Sequence, residues 1–519
     1  MNKLNKFAEI LAVLLLIFLT ACNEDDVSLP KNEDNAAKLT DDEFDVLYRM
    51  RNKDYKVSIE EATKLANQIM ANLDSESPMG EGKQRKIATV LALTSDDLES
   101  KTLKTNEFTI SIPDTIAYVF NFTEDSGYAI ISGDTRIEKP ILATVERGVL
   151  EMTTDNPGFA LFLDGTENYV IRSIEQAVQK QDSLLGGIVT KLEANAVNYK
   201  GNANTTAAAA ANGTTLQNIL FGNYIIKTTT TTGSITTALK KSPLLPVEWG
   251  QGEPYNQAVS MSCSSGGSGG KAWAGCVAAA TAQIMAYWKY PAQVNWTLLN
   301  KYTGRPNAYP NVMGKLDAFY AVGAEAEAFR TQVANLMKEI GQGVGMKYGC
   351  DGSSAQAPDA VSFMRRLGYK GGSSSFLNIY NFPETYNSVY QDKPVLISGY
   401  STKVKHKFLG ITIFNTYEKG HAWVVDGYLR QQQQVTVTVQ LIKKTTGQVI
   451  SQSTHTGYNY INFLHNNWGW DGLDDGYYVE GAFNANAQEL SSSSKKTLEE
   501  GQKNNYQYQI RIYSGIYKP

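Results

Sequence analysis

The spacing of apolar residues changes several times along this chain, and each change marks a different kind of element. Behind Lys3 and Lys6 comes an apolar run at 10–19, too short to cross a bilayer. Residues 41–50 and 58–73 then carry apolar positions at helical spacing. In the second, Ile59, Ala62, Leu65, Ile69 and Leu73 share a face, and Ser58 with Glu61 forms a capping box, so two helices are predicted. Alternation follows. Residues 118–122 and 128–132 flank a Glu-Asp-Ser-Gly turn, which predicts a hairpin, and 140–145 reads as another strand. Between 204 and 237 the pattern dissolves into Ala and Thr runs around an apolar island at 216–226; this stretch is expected to be flexible, exposed and open to proteases. Further on, 275–288 is an Ala-rich apolar helix and 420–428 a buried β-branched strand. Residues 435–460 alternate around a glycine turn and predict a hairpin extending the edge of a sheet.

A length of 519 residues accommodates two folded units. The expected division is a leader at 1–22, an acidic tether at 23–40, a small α+β domain at 41–200, a linker at 201–242 and a second α+β domain at 243–519. The net charge is −4 with the signs interspersed, which argues against nucleic acid as a partner. Four cysteines are too few for a disulfide framework, and no Cys or His cluster has zinc spacing, so neither metal nor other cofactor is expected. His406, His455 and His465 are singletons. In the leader, Leu19-Thr20-Ala21-Cys22 looks like a bacterial lipobox, implying cleavage before Cys22 and lipidation of its thiol. The acidic run 23–26 resembles a surface-export signal of Bacteroides-group lipoproteins. Together these imply an outer-membrane or cell-surface protein.

Chemistry is concentrated at three places. Cys276 falls at the first turn of the 275–288 helix, where the unpaired N–H groups favour thiolate over thiol. On this segment alone, a cysteine packed as a small hydrophobe is an equal alternative. His421 lies 145 residues downstream at a strand start, followed by Asn467-Trp468-Gly469. An imidazole beside a thiol allows a thiolate–imidazolium pair that attacks a carbonyl and then protonates the leaving amine. Asn467 could orient the imidazole and Trp468 could shield that contact from water. Gln251, upstream in Trp249-Gly250-Gln251-Gly252, could donate to an oxyanion beside the Cys276 amide.

Four stretches, 249–256, 275–291, 420–428 and the Asn-Trp-Gly-Trp at 467–470 with the Asp-Gly-Tyr-Tyr after it, resemble the streptopain family of papain-like cysteine peptidases. The resemblance implies an α+β papain-like domain preceded by a small inhibitory α+β propeptide, and a secreted bacterial zymogen acting on proteins, with an apolar side chain favoured two residues before the scissile bond. It implies Cys276 as nucleophile, His421 as general base and acid, and Gln251 as oxyanion donor, with Asn467 and Trp468 in support. Activation is expected by cleavage within 200–245, near Lys240-Lys241 or in the Thr-rich stretch, giving a monomeric mature form that leaves the lipid anchor behind. Cys263 and Cys350 are the only pair compatible with a free nucleophile, but both are expected as free or semi-buried thiols. The hairpin at 429–460 departs from the family pattern. The rival readings are a decayed scaffold serving as a binding or protease-inhibitor protein, and other amide chemistry on the same Cys/His pair.

Overall fold

The computed structural model describes residues 38–75, 85–94, 102–104, 109–111, 114–137, 139–151, 153–154, 156–196, 214–304, 315–373, 378–399, 407–408, 411–413, 420–483 and 510–519. The leader, Cys22, nearly all of the acidic tether and His406 lie outside these residues. Among the described residues no helix is long and apolar enough to cross a membrane.

Helix α1, Asp41–Arg49, starts on a capping box: the Thr40 hydroxyl accepts from the Glu43 amide at 3.3 Å and the Glu43 carboxylate from the Thr40 amide at 2.7 Å. Helix α2, Ile59–Ser75, begins at Ser58, whose hydroxyl accepts from the Glu61 amide at 3.1 Å, and it buries Ala62, Leu65, Ile69 and Leu73 of the predicted stripe while Ile59 stays exposed. Four antiparallel strands follow: β1 (Ile87–Thr94), β2 (Thr115–Phe122), β3 (Tyr128–Ser132) and β4 (Ile141–Val145).

The 40-residue helix α3, Pro157–Ala196, was not predicted. Two of its glycines mark close approach. A Cβ on Gly165 would sit 2.4 Å from the Ala482 carbonyl oxygen, and one on Gly158 2.3 Å from the Trp468 ring.

The stretch expected to be a flexible linker is also ordered over 214–241. It forms strands β5 (Thr214–Phe221) and β6 (Tyr224–Lys241), and β6 lies antiparallel to β8 (His421–Lys443) from Lys241↔Tyr428 to Tyr224↔Lys443. Threonine is β-branched and suits a pleated sheet once a neighbour supplies the apolar surface that the segment lacks. Lys240 and Lys241 therefore sit inside a ladder, paired with Leu429 and Tyr428. β6 thus covers the β8 side of the hairpin of β8 and β9 (Val449–Asn467), while β9 before Phe463 pairs with β8 alone and forms the expected edge among the described residues.

These strands form one sheet with β10 (Gly476–Val479), β7 (Val395–Gly399) and β11 (Arg511–Tyr513). Its order is β1-β2-β3-β4-β10-β9-β8-β7-β11, with β6 and then β5 alongside the distal part of β8. The two halves of the chain share this sheet through β4 and β10, where Ala143 pairs with Tyr478 and Thr144 with Tyr477. Helix α3 packs on one face, in a core that includes Phe159, Phe162, Trp423, Phe463 and Tyr478. On the other, Ala422 and Val424 meet α4, Cys276–Trp288, which is backed by α5 (Ala324–Gly343) and α6 (Ala357–Arg366).

Cys263 and Cys350, expected as thiols, form a disulfide with S–S 2.01 Å. It staples the glycine-rich loop ahead of Cys276, where the Gly267 amide and the Trp273 indole both donate to the Cys350 carbonyl, at 2.7 and 3.1 Å. Cysteine count alone could not reveal this, because the pairing depends on which loops the fold brings together. The bridge closes an 87-residue separation. Replacing both cysteines by serine is expected to cost about 2–4 kcal/mol of stability, read by chemical denaturation.

Candidate active site

Helix α4 begins at Cys276 because Gly275 holds a backbone that no other residue could adopt cheaply. Its φ is 95°, and a Cβ there would lie 2.7 Å from the Met346 side chain. The backbone amide of Ala422, the residue after His421, lies close enough to the Cys276 sulfur to favour its thiolate, so the start of helix α4 and the start of β8 come together. His421 is buried and its Nε2 lies 2.8 Å from the Trp468 carbonyl. A carbonyl only accepts, so Nε2 carries the proton of the neutral ring and Nδ1 presents a lone pair.

That contact corrects the expected role of Asn467. Its side chain is engaged elsewhere, with Oδ1 accepting from Gln283 Nε2 at 2.9 Å and from the Gly469 amide at 3.1 Å, and Nδ2 donating to the Val247 carbonyl at 3.3 Å. The group orienting the imidazole is the backbone of the next residue. Trp468 is itself held rigidly: its amide donates to Asp475 Oδ1 at 2.8 Å, and its indole N–H to the Asp474 carbonyl at 3.0 Å. Gln251 is buried, with its Nε2 making only a long 3.4 Å contact to the Gly469 carbonyl, while its own carbonyl accepts from the Ala274 amide two residues before Cys276. That weak hold leaves its amide available to a stronger acceptor.

Gln283 is the residue that sequence reasoning missed. Two turns below Cys276 and fully buried, it donates to Asn467 and accepts from the Trp249 amide at 3.0 Å. It thus ties the Gln251 segment and the 467–469 turn to one helix. The available signal was a polar residue at a core position of an apolar helix, which must find partners. Gln283→Leu removes both bonds, and kcat is expected to fall roughly tenfold or more with a smaller change in KM, because the loss is of positioning rather than substrate contact.

The N-terminal half covers this site. Asn156, fully buried, caps α3 by accepting from the Gly158 and Phe159 amides at 3.0 and 3.2 Å, and its Nδ2 donates to the Leu473 carbonyl at 2.8 Å and to Asp474 at 3.3 Å. Gly158 is thereby laid on the rings of Trp468 and His421. Tyr128 donates to the second Asp474 oxygen at 2.9 Å, and Arg147 forms an ion pair with Glu248.

Electrostatics follow from this cover. Burial pushes the Cys276 thiol up and His421 down to about 4, the Trp468 carbonyl only partly offsetting the latter. Although part of Cys276 is reachable by solvent, the protein packed around its sulfur outweighs the helix N-terminus. The pair is neutral in this form, where the sequence led us to expect a favoured thiolate. Burial also raises Asp474 to about 6, and raises Asp475, with Glu248 adding to the latter. The two numerical shifts oppose each other in pH dependence. His421, depressed, withdraws stability as pH falls from its unfolded value of about 6.5 towards 4, whereas Asp474, raised, withdraws it as pH rises through 6. His465 is no part of this chemistry; its Nδ1 meets buried Asp426 at 2.7 Å.

Known proteins resemble the chain in both halves. Residues 249–478 match the Peptidase C10 family and residues 54–170 the Spi protease inhibitor family. Streptopain of Streptococcus pyogenes is 26% identical over 265 residues, covering 46% of this chain and 55% of its own length, so the chain spans about half the length of the curated relatives it matches. Among solved structures, a fragment of Prevotella intermedia prointerpain A is similar with a TM-score of 0.40 at 19% identity, over 81% of this chain and 98% of that one. The active interpain A cysteine protease of the same organism is similar at 0.29 and 22%, over 47% and 87%. The chain thus joins a segment similar to the Spi protease inhibitor family to a following segment similar to the Peptidase C10 family, the family resemblance that its motifs imply.

Proposed function

We propose that the chain is a cysteine endopeptidase made as a zymogen and acting on protein substrates. The observation that carries this is the Cys276 sulfur against the Ala422 amide, beside a histidine whose Nδ1 is left as the basic nitrogen. Cys276 is then the nucleophile, and His421 takes its proton and later returns one to the leaving amine. The tetrahedral oxyanion is met by the Cys276 amide and by Gln251, whose long contact to Gly469 is the weak bond to be exchanged. Asn467 and Trp468 serve as supports: Asn467 fixes the turn, and Trp468 offers its carbonyl to the imidazole and its ring as a wall.

The N-terminal domain acts as the inhibitor by burying His421 and Trp468 under Gly158. Activation is cleavage within 200–245. A cut at Lys240-Lys241 requires the β6–β8 ladder to open first, which favours positions outside 214–241. The precursor is held to the outer membrane through lipidated Cys22, and the cut frees a monomeric peptidase from that anchor.

The test is the processed chain incubated with casein and with an epoxide inhibitor of papain-like enzymes. Casein cleavage with covalent label on Cys276 is expected. Label without cleavage would keep the nucleophile and reject the substrate class; neither would reject the enzyme.

A further inference from the structure

The two family matches leave several elements unclaimed: α1, the part of α3 beyond residue 170, and strands β5 and β6. The distal hairpin of β8 and β9 departs from the family pattern as well. These pieces find one another. Phe44 and Leu47 of α1, Ile188 and Leu192 of α3, and Val437 and Val439 of β8 are buried together in a hydrophobic cluster separate from the core around the active site. The Phe44 ring stacks on His455 of β9 with centroids 4.4 Å apart, and His455 Nε2 lies 3.1 Å from Asp41 Oδ1. Asn72 of α2 adds hydrogen bonds to the Ile235 carbonyl at 2.7 Å and to Gln431 at 3.2 Å.

The alternation of β8 explains the docking. Val435, Val437, Val439 and Leu441 point to one face and are buried, while Thr436 and Thr438 point to the other and pair with Thr456 and Thr454 at 2.9 and 3.0 Å. One face of this ribbon is complete in itself, and the other is an apolar strip that needs a cover. Val437 lies sixteen residues along β8 from His421, roughly 50 Å of extended strand, so the strip is remote from the catalytic pair.

We infer that this ribbon is a second docking surface for the chain's own inhibitory domain, gripping α1 and the distal part of α3, and that it keeps that domain bound after the linker is cut. The inference rests on the zymogen reading. Seating at the active site runs through Gly158, Asn156, Tyr128 and the β4–β10 pairing, and severing the chain removes no contact at either seat. A cut before β5 leaves the ribbon whole on the peptidase side. A cut after β6 leaves the inhibitory side holding one more paired strand. Two seats on one rigid body act as linked sites, so dissociation requires both to open at once. Activity should therefore lag the cut until the inhibitory domain is itself destroyed or pulled away.

The experiment uses the full chain carrying Cys276→Ala, with a recognition sequence for a site-specific protease inserted between 200 and 213. After cutting to completion on a denaturing gel, the two fragments are expected to co-elute from a sizing column as one species. Phe44→Ser, at the ribbon seat alone, should raise the dissociation rate on the order of tenfold or more. Val437→Thr, which keeps the β-branch and the strand, reads the same loss if Phe44→Ser compromises folding, as judged by melting of the uncut chains. Immediate separation of the parent fragments would overturn the inference, as would variants that dissociate no faster than the parent. Epoxide labelling of the chain with Cys276 intact reports the peptidase reading separately, so failure of one is not mistaken for failure of the other.

Discussion

Gly158→Ala is expected to awaken the uncut precursor. Alanine near a helix start ordinarily stabilises by up to about 1 kcal/mol, because glycine surrenders more backbone freedom on folding. Here the added methyl would lie 2.3 Å from Trp468 Cε3 and 2.8 Å from His421 Cδ2, distances that force one partner to move. Neither ring is a flexible tip. Trp468 is hydrogen-bonded through its amide and its indole, and its carbonyl fixes His421. The helix must therefore lift from the site, at an overpacking cost of about 1–3 kcal/mol, equivalent to roughly five- to 150-fold weaker seating. Gly186→Ala is the matched control: it lies in the same helix with nothing within 4 Å of the added carbon, so it should leave the precursor silent and no less stable. The readout is the rate of epoxide labelling at Cys276 in the uncut chain. If Gly158→Ala labels no faster than Gly186→Ala and melts no lower, the seat at Gly158 does not hold the site closed.

The contrast between those two glycines also shows what the sequence could and could not convey. Cys276, His421 and the Asn467-Trp468 turn were legible because each sits at an element boundary with its own local signature: an apolar helix behind a glycine, a β-branched strand, a turn. Helices α1 and α2 were legible for the same reason, each having a polar cap and a clean stripe. What stayed hidden was decided by partners distant in sequence. Gly158 and Gly165 carry no local sign of their role until Trp468 and Ala482 are placed against them. The threonines of β6 read as disorder until β8 supplies the apolar face, and Cys263 and Cys350 read as loose thiols until the loops that carry them are folded together. The role assigned to Asn467 failed more subtly. The residue is present and buried in the site, but Gln283 takes its carbonyl oxygen, and the bond to the histidine falls to a backbone group that no motif can display.

The reactivity of Cys276 should change by orders of magnitude between the covered and uncovered site. In the precursor the thiol is pushed up by burial and His421 down to about 4, so at neutral pH the proton stays on sulfur and the imidazole is uncharged. Alkylation by a small neutral reagent should then be slower at pH 7 than for a free thiol, rising about tenfold per pH unit into the alkaline range. Removal of the inhibitory domain takes Gly158 off the His421 and Trp468 rings and lifts the burial that favoured both neutral forms. The helix N-terminus and an imidazolium at His421 can then both stabilise the thiolate. The expected profile becomes a plateau from about pH 5 to 8, with alkylation at pH 6 on the order of a hundredfold or more above the precursor. His421→Ala should abolish the acid side of that plateau, and Cys276→Ala should lower casein turnover by about four orders of magnitude or more, since no other group can form the acyl intermediate. A precursor already alkylated rapidly and independently of pH between 5 and 8 would mean that the ion pair exists under the cover, and that silence comes from blocked substrate access alone. A processed form with an ordinary thiol profile would mean that His421 never charges, and the base would have to be sought elsewhere in the site.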